Sequence, residues 1–116
     1  MAISFGHDRP WGGVSQVEYR RMAKEARLQL AYRVHFAALG WADCQGHAAF
    51  DAGKLASLLS KDGKPLSEQS TNNAIARAKA LSLVSPYSGA ACLVLGSHMF
   101  QAGKGVPVPC RVRLDR

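Results

Sequence analysis

The stretch FDAGKLASLLSKDGKPLSEQSTNNAIARAKALSLVSPYSGAACLVL, residues 50–95, carries the clearest structural pattern in the chain. It divides into a short helix, a turn rich in Lys, Gly and Pro, a second helix with one polar face, and a tight hairpin. The first helix is predicted over residues 52–60, with Asp51 as its N-cap. Its buried side consists of Leu55, Leu58 and Leu59.

The second helix is predicted over residues 67–82, with Ser67 as its N-cap. Its inner face consists of Ala74, Ile75, Ala78 and Leu81. Its outer face is polar and consists of Glu68, Gln69, Thr71, Asn72, Asn73 and Arg77. Because adjacent asparagines are poor helix formers, this face is unusual for a purely structural helix. Asn and Gln can bind adenine through two hydrogen bonds, and Arg can bind guanine in the same way. The alternative interpretation is an ordinary solvated face.

A hairpin follows the second helix. Leu83 and Val84 are predicted to begin a strand, residues 87–90 a turn, and residues 91–95 the returning strand. A further short strand is predicted over residues 47–50, where it can pair with this hairpin.

Ahead of this stretch, an irregular arm over residues 1–14 precedes a long helix. Ser15 and Glu18 form a capping box at the start of that helix, and Gly40 is its expected end. The apolar stripe of the helix consists of Ala23, Ala26, Leu30, Val34, Ala37 and Trp41. Off this stripe lies a basic face made of Arg20, Arg21, Lys24 and Arg27, which is either solvated or in contact with a DNA backbone.

This order of elements is that of a winged helix-turn-helix. The segment STNNAIARAKALSLV resembles the recognition helix of winged-helix regulators of the GntR-like kind, in which polar residues precede an Ala-aliphatic pair and the helix ends in Gly-Leu-Val. Here the pair is Ala74-Ile75, and Ser82 stands where Gly is usual. The segment FDAGKLASLL resembles the strand and helix ahead of it, and the whole chain is similar to small winged-helix proteins of actinobacterial phages.

The resemblance implies a mainly α fold with a small β-hairpin wing, an α+β winged helix-turn-helix with a long N-terminal helix. The domain would cover residues 15–95, followed by a basic C-terminal extension over residues 96–116 that is either part of the wing sheet or a separate arm. By this resemblance the base-facing positions are Gln69, Asn72, Asn73 and Arg77, and the wing tip is Ser88-Gly89. The expected contacts to the DNA backbone are Lys54, Lys61, Lys64, Ser67, Ser70, Lys79, Lys104, Arg111 and Arg113.

Bulk composition agrees with a polyanionic partner. The 116 residues carry 15 basic and 8 acidic side chains, for a formal net charge of +7. Neither a signal peptide nor an apolar run long enough for a membrane span is visible, so a cytoplasmic protein without membrane contact is expected. The wing tip has no basic residue, so backbone contacts are expected on the first helix and the C-terminal extension.

Metal binding and catalysis find little support in the sequence. Cys92, His98 and Cys110 supply zinc donor types, with His47 or Cys44 as a fourth, but their spacing matches no structural zinc pattern. No nucleophile motif, phosphate loop or acidic pair is present, so neither an enzyme nor a cofactor is expected.

The predicted function is sequence-specific binding of double-stranded DNA, as a transcriptional regulator that inserts the helix over residues 67–82 into the major groove. Such modules often act as homodimers. Two alternatives remain open: a winged-helix module that binds a protein, such as a phage protein that binds a host factor, and a replication or excision accessory protein.

Overall fold

Residues 4–101, the part of the chain that the computed structural model describes, form four helices and a small antiparallel sheet of two strands. In chain order the elements are α1 (Gln16–Ala23), α2 (Leu30–Trp41), β1 (His47–Ala49), α3 (Lys54–Leu58), α4 (Glu68–Ala80) and β2 (Cys92–Val94). The α+β class predicted from the sequence is confirmed. None of the helices in this range combines the length and the apolar character that a membrane span needs.

The prediction of one long helix from Ser15 is wrong. Ser15 does cap a helix, and its side chain accepts a hydrogen bond from the Glu18 backbone N–H. That helix ends at Ala23, and the chain reverses so that α2 packs antiparallel to α1. Two short helices facing each other bury the same spacing of apolar residues as one long helix, so periodicity alone does not separate them. Ala26, in the connection between the helices, is exposed.

Gly40 is a point of close approach between helices. It lies inside α2, which continues to Trp41, so the prediction that it ends the helix is wrong. A Cβ atom at Gly40 would lie 2.8 Å from the Arg20 Cγ atom and 2.9 Å from the Arg20 backbone nitrogen. The absence of a side chain at this position lets α1 and α2 touch.

A buried arginine joins three helices. Arg33 on α2 is only 1% exposed. Its Nε donates to the Ala23 carbonyl at 2.8 Å, and its two Nη atoms donate to the carbonyls of Leu58, Leu59 and Ser60 at 3.3–3.4 Å. These carbonyls are at the C-terminal ends of α1 and α3, where helices lack internal acceptor partners and carry partial negative charge. Arg33 therefore caps both helices and holds α3 in place.

The helix α3 begins later than predicted. Gly53, in the left-handed region at φ 78°, is its N-cap, and the Lys54 N–H is bonded to the backbone carbonyl of Asp51. The prediction that Asp51 caps a helix starting at residue 52 is therefore wrong. The predicted buried side is confirmed, because Leu55, Leu58 and Leu59 lie in the core.

The helix α4 begins as predicted. The Ser67 hydroxyl accepts a hydrogen bond from the Ser70 N–H at 3.0 Å. At the other end Ser82 takes a left-handed conformation, with φ 59°, and the Leu83 N–H donates to the Ala78 carbonyl at 2.9 Å. This is the usual helix end at which glycine is favoured. Leu81 precedes it and is 47% exposed, so its predicted place on the inner face is wrong.

Ser82 offers a test of this helix end. The left-handed conformation costs a residue with a side chain about 1–2 kcal/mol, partly offset by the greater freedom of glycine in the unfolded chain. We expect Ser82→Gly to stabilise the fold by roughly 0.5–1 kcal/mol, measured by urea unfolding. Ser82→Ala keeps the conformational cost and is the control, so an equal gain from both substitutions would contradict this account.

A histidine connects α2 to the segment that follows α4. The Nδ1 atom of His35 lies 2.7 Å from the Leu83 carbonyl oxygen. Burial lowers the pKa of His35, and the hydrogen bond to Leu83 partly opposes this shift. The ring is therefore neutral at pH 7 with its proton on Nδ1, which donates to the carbonyl. This contact fixes the end of α4 against α2.

The sheet pairs β1 with β2 in antiparallel register, and Ala48 faces Leu93. The strand predicted near residues 47–50 is confirmed. The first strand of the predicted hairpin is not formed, since neither Leu83 nor Val84 belongs to a strand. Instead the Ser85 N–H donates to the Val94 carbonyl at 2.7 Å, and the Ser88 hydroxyl accepts from the Val94 N–H at 2.9 Å. A side chain thus replaces a backbone partner along this edge of β2.

Candidate nucleic-acid interface

The outer face of α4 is polar and open to solvent. All four predicted base-contacting residues are exposed on this helix: Gln69, Asn72, Asn73 and Arg77. They lie opposite the buried face, whose members Ala74, Ile75 and Ala78 are at most 5% exposed. The Ser67 cap sets where the helix begins and therefore which residues turn outward. The helix thus presents two amide types and one guanidinium on one surface.

Thr71 does not belong to this face. It is 3% exposed, and its hydroxyl donates to the Ser67 carbonyl at 2.9 Å. The assignment of Thr71 to the outer face is wrong, because one turn after the N-cap this position points back toward α3. Ser67 is itself occupied in capping, and Ser70 is half-buried, so their hydroxyls are less accessible than the sequence suggested.

Two lysines project from the turn ahead of α4. Asp62 and Gly63 both have positive φ values, 56° and 77°, and the backbones of Lys61 and Lys64 exchange two hydrogen bonds of 3.0 and 3.1 Å. This is the geometry of a two-residue type I′ turn, for which Asp-Gly is a preferred sequence. Residues paired in this way point their side chains to the same side of the ribbon. The two side chains therefore leave the turn on the same side, where one anion could contact both.

The expected basic face of the first helix is largely neutralised. Arg21 pairs with Glu18 at 3.1 Å, and Arg27 pairs with Glu25 at 2.8 Å. The hydrogen bonds from Arg27 hold the pKa of Glu25 at about 2. These carboxylates lie beside the arginines in sequence, so the two basic groups do not present free charge.

Arg20 also makes contacts within the molecule, to Gly40 and Trp41. Its Nε donates to the Gly40 carbonyl at 2.7 Å, and its guanidinium lies 5.3 Å from the centre of the Trp41 ring. Lys24 lies over the same ring at 5.8 Å. Cations in this position are attracted by the electron-rich face of the aromatic ring. Arg20 and Lys24 nevertheless keep their positive charge and have no carboxylate partner within residues 4–101, so contact between the first helix and a DNA backbone stays a prediction.

The lysines and the arginine of residues 50–82 differ from Arg21 and Arg27 because they are not paired with carboxylates in the described range. Within the described range 4–101, the ion pairs join His7 to Asp8, Arg21 to Glu18 and Arg27 to Glu25. In that range, accordingly, five cations of the α3–α4 region have no carboxylate partner: Lys54, Lys61, Lys64, Arg77 and Lys79. Four of them are exposed, and Lys79 is half-buried. In the described range the exposed Arg9, Arg20 and Lys24 also lack a carboxylate partner, but the larger group of such cations lies in the α3–α4 region.

A groove lies beside the polar face. Its volume is about 600 Å³, and it runs between α3, the turn and the start of α4. Its walls are mainly apolar and include Ala56 and Leu66. Its polar part consists of Ser57, Glu68, Thr71 and Asn72. Ala90 reaches it from the loop before β2. Glu68 is the one charged residue on this wall.

Two alanines on the outer face were not considered from the sequence. Ala76 and Ala80 are exposed and lie among the polar residues of α4. Short side chains there allow a partner to approach the helix closely, and an alanine methyl group can contact the methyl group of thymine. The signal was present in the sequence as alanines at helical spacing from Asn72 and Asn73, with Ala76 four residues after Asn72 and Ala80 seven residues after Asn73.

The residues predicted to form the wing tip, Ser88 and Gly89, do not form an exposed tip. Ser88 is 3% exposed because its hydroxyl is bonded to the backbone of Val94, so its assignment to an exposed tip is wrong. Tyr87 beside it is 60% exposed. The tail residues Lys104, Arg111 and Arg113 lie outside the described residues, as does Cys110. Among residues 4–101, no group of three His, Cys, Asp or Glu side chains is arranged to hold a metal ion.

No family model, curated protein or solved structure matches this chain.

Proposed function

We propose that the chain is a sequence-specific double-stranded DNA-binding protein of the winged helix-turn-helix class, acting as a transcriptional regulator. The observation that carries this proposal is the outer face of α4, where Gln69, Asn72, Asn73 and Arg77 are exposed beside cations without carboxylate partners. The element order, with a strand ahead of two helices that pairs with a strand after them, supports the class.

In the proposed complex α4 enters the major groove. Amide and guanidinium groups on its outer face contact base edges, where each base pair presents a distinct pattern of donors and acceptors. Lys61 and Lys64 contact phosphates at the entrance of the helix, and Lys54 contacts the backbone from the start of α3. Arg77 is at the opposite end of the same face from the lysine turn. Such contacts to the backbone orient the helix, and the base contacts select the sequence.

A small module reads few base pairs, so a regulator of this size is expected to act as a homodimer on two half-sites. The half-sites would be about one turn of DNA apart. A palindromic consensus among sequences selected from a random duplex pool would support this arrangement. A single short consensus would instead favour a monomer.

Salt dependence tests the proposal. Binding that neutralises phosphates weakens with a log–log slope of about −0.9 for each phosphate. We expect a steep slope for the native chain on its selected duplex, and a slope shallower by about 1 for Lys64→Ala. The matched control is Arg27→Ala, which removes one positive charge from an arginine already paired with Glu25. A flat salt response in the native chain would contradict the proposal.

A second candidate is favoured by the groove beside α4. Its apolar walls of Ala56 and Leu66, with Glu68 at one side, suit a peptide segment that carries a basic residue. In this case the module would bind a protein, as a phage protein that binds a host factor would, and DNA affinity would be weak and insensitive to base sequence. A replication or excision accessory protein would share the proposed DNA contacts and differ in its biological setting.

A further inference from the structure

A hydrogen bond joins the side-chain amides of Gln69 and Asn73, which lie on successive turns of α4. The Nε2 atom of Gln69 donates to the Oδ1 atom of Asn73 at 3.0 Å, and both side chains are exposed. The residues are four apart, the spacing at which side chains meet on a helix surface. Arg77 lies a further four residues along the same row. The outer face therefore contains a coupled amide pair followed by a guanidinium.

This bond determines which polar groups remain for a partner. It uses one amide hydrogen of Gln69 and one lone pair of Asn73. Gln69 keeps its oxygen and one amide hydrogen, and Asn73 keeps its NH₂ group and one oxygen lone pair. If both amides were rotated by 180°, the bond would reverse, and the pair would still offer one oxygen and one NH₂ group. The pair thus presents both an acceptor and a donor in either orientation.

We propose that Gln69 and Asn73 act together as a single unit that reads one A·T base pair. This inference rests on the proposed function and deepens it. In the major groove adenine offers the acceptor N7 and the donor N6, which complement one donor and one acceptor. Guanine offers two acceptors, N7 and O6, so the amide oxygen of the pair would face another acceptor. The bond also holds the two amides in one relative position, so the loss of either one changes how the other is presented to a base.

The neighbouring arginine adds a second element to the predicted site. Arg77 has no carboxylate partner within residues 4–101, and its guanidinium carries donors only. A group of donors complements the two acceptors of guanine. The row Gln69, Asn73 and Arg77 therefore favours a half-site in which an A·T pair and a G·C pair lie close together.

A double-mutant cycle tests the unit. Two duplex probes are used. The first is the duplex that the native chain selects from a random pool, and in the second the contacted A·T pair is replaced by G·C. We expect the native chain to bind the second duplex about tenfold more weakly, or weaker still. Gln69→Ala and Asn73→Ala should each remove most of this preference, and the double variant should remove little more, because neither amide reads the base pair alone.

Gln29→Ala is the matched control, since Gln29 is an exposed amide at the start of α2, away from the outer face of α4. It should leave the preference at that base pair unchanged. Additive losses from Gln69→Ala and Asn73→Ala, or a preserved preference in both, would overturn the reading unit while leaving the DNA-binding function intact. A random pool in which no sequence is enriched would overturn both.

Discussion

Replacing Arg33 with methionine is expected to lower the free energy of unfolding by about 3–5 kcal/mol, because several buried carbonyls would each lose a charged donor at about 1–3 kcal/mol. The Arg33 guanidinium is 1% exposed and donates to the carbonyls of Ala23, Leu58, Leu59 and Ser60. Burial lowers the pKa of Arg33, and the charge of Glu25 partly opposes this effect. The group remains a cation because an arginine does not lose its proton in proteins.

This loss would be severe for a small domain, whose total stability is typically about 5–15 kcal/mol. Urea unfolding followed by circular dichroism measures it. Arg21→Met is the control, because Arg21 is exposed and its pair with Glu18 is expected to contribute less than about 1 kcal/mol. A methionine variant at position 33 that is as stable as the native chain would show that water or a relaxed backbone satisfies these carbonyls.

Replacing Arg77 with alanine is expected to weaken specific DNA binding by about 1–3 kcal/mol, which is about fivefold to 150-fold. Arg77 is exposed on α4 and has no carboxylate partner within residues 4–101, so its donors are available to a base. Fluorescence anisotropy with the selected duplex at fixed salt measures the effect. Relaxed preference at one base pair would accompany the loss if the contact is to a base.

The control for Arg77→Ala is Arg27→Ala, which changes the net charge by the same amount at a position paired with Glu25. It should leave the affinity nearly unchanged. Equal weakening by both variants would point to a general effect of charge and remove Arg77 from the base-contacting set. An unchanged affinity in Arg77→Ala, with the fold intact, would have the same consequence.

Features set by neighbours along the chain were predictable. Ser67 caps α4 because a serine ahead of a helix can accept from the N–H three residues on, and this needs no distant contact. The burial of Ile75 and of Leu55 follows from helical spacing. The strand β1 was placed correctly, because a short apolar run bounded by polar residues is typical of a strand.

Features that depend on contacts between distant segments of the chain could not be predicted from the sequence. The stripe from Ala23 to Trp41 is compatible with one helix or two, and the reversal between α1 and α2 is stabilised by Gly40 meeting Arg20 and by Arg33 reaching α3. A buried arginine is rare, so sequence reasoning assigns such a residue to the surface. Ser88 was placed at an exposed tip because its bond to Val94 depends on the path of β2.

The candidate site also has features that local sequence predicts and features that depend on the tertiary structure. Local sequence identified the polar face of α4 apart from Thr71, since residue type and helical period show on which side of the helix most polar side chains lie. Which positive charges are free was decided only by the folded chain. Arg20 is occupied by Gly40 and Trp41, whereas Lys61 and Lys64 are brought together by a type I′ turn without a carboxylate among residues 4–101. Helical period acts over a few residues, but the pairing of charges depends on which segments meet in space.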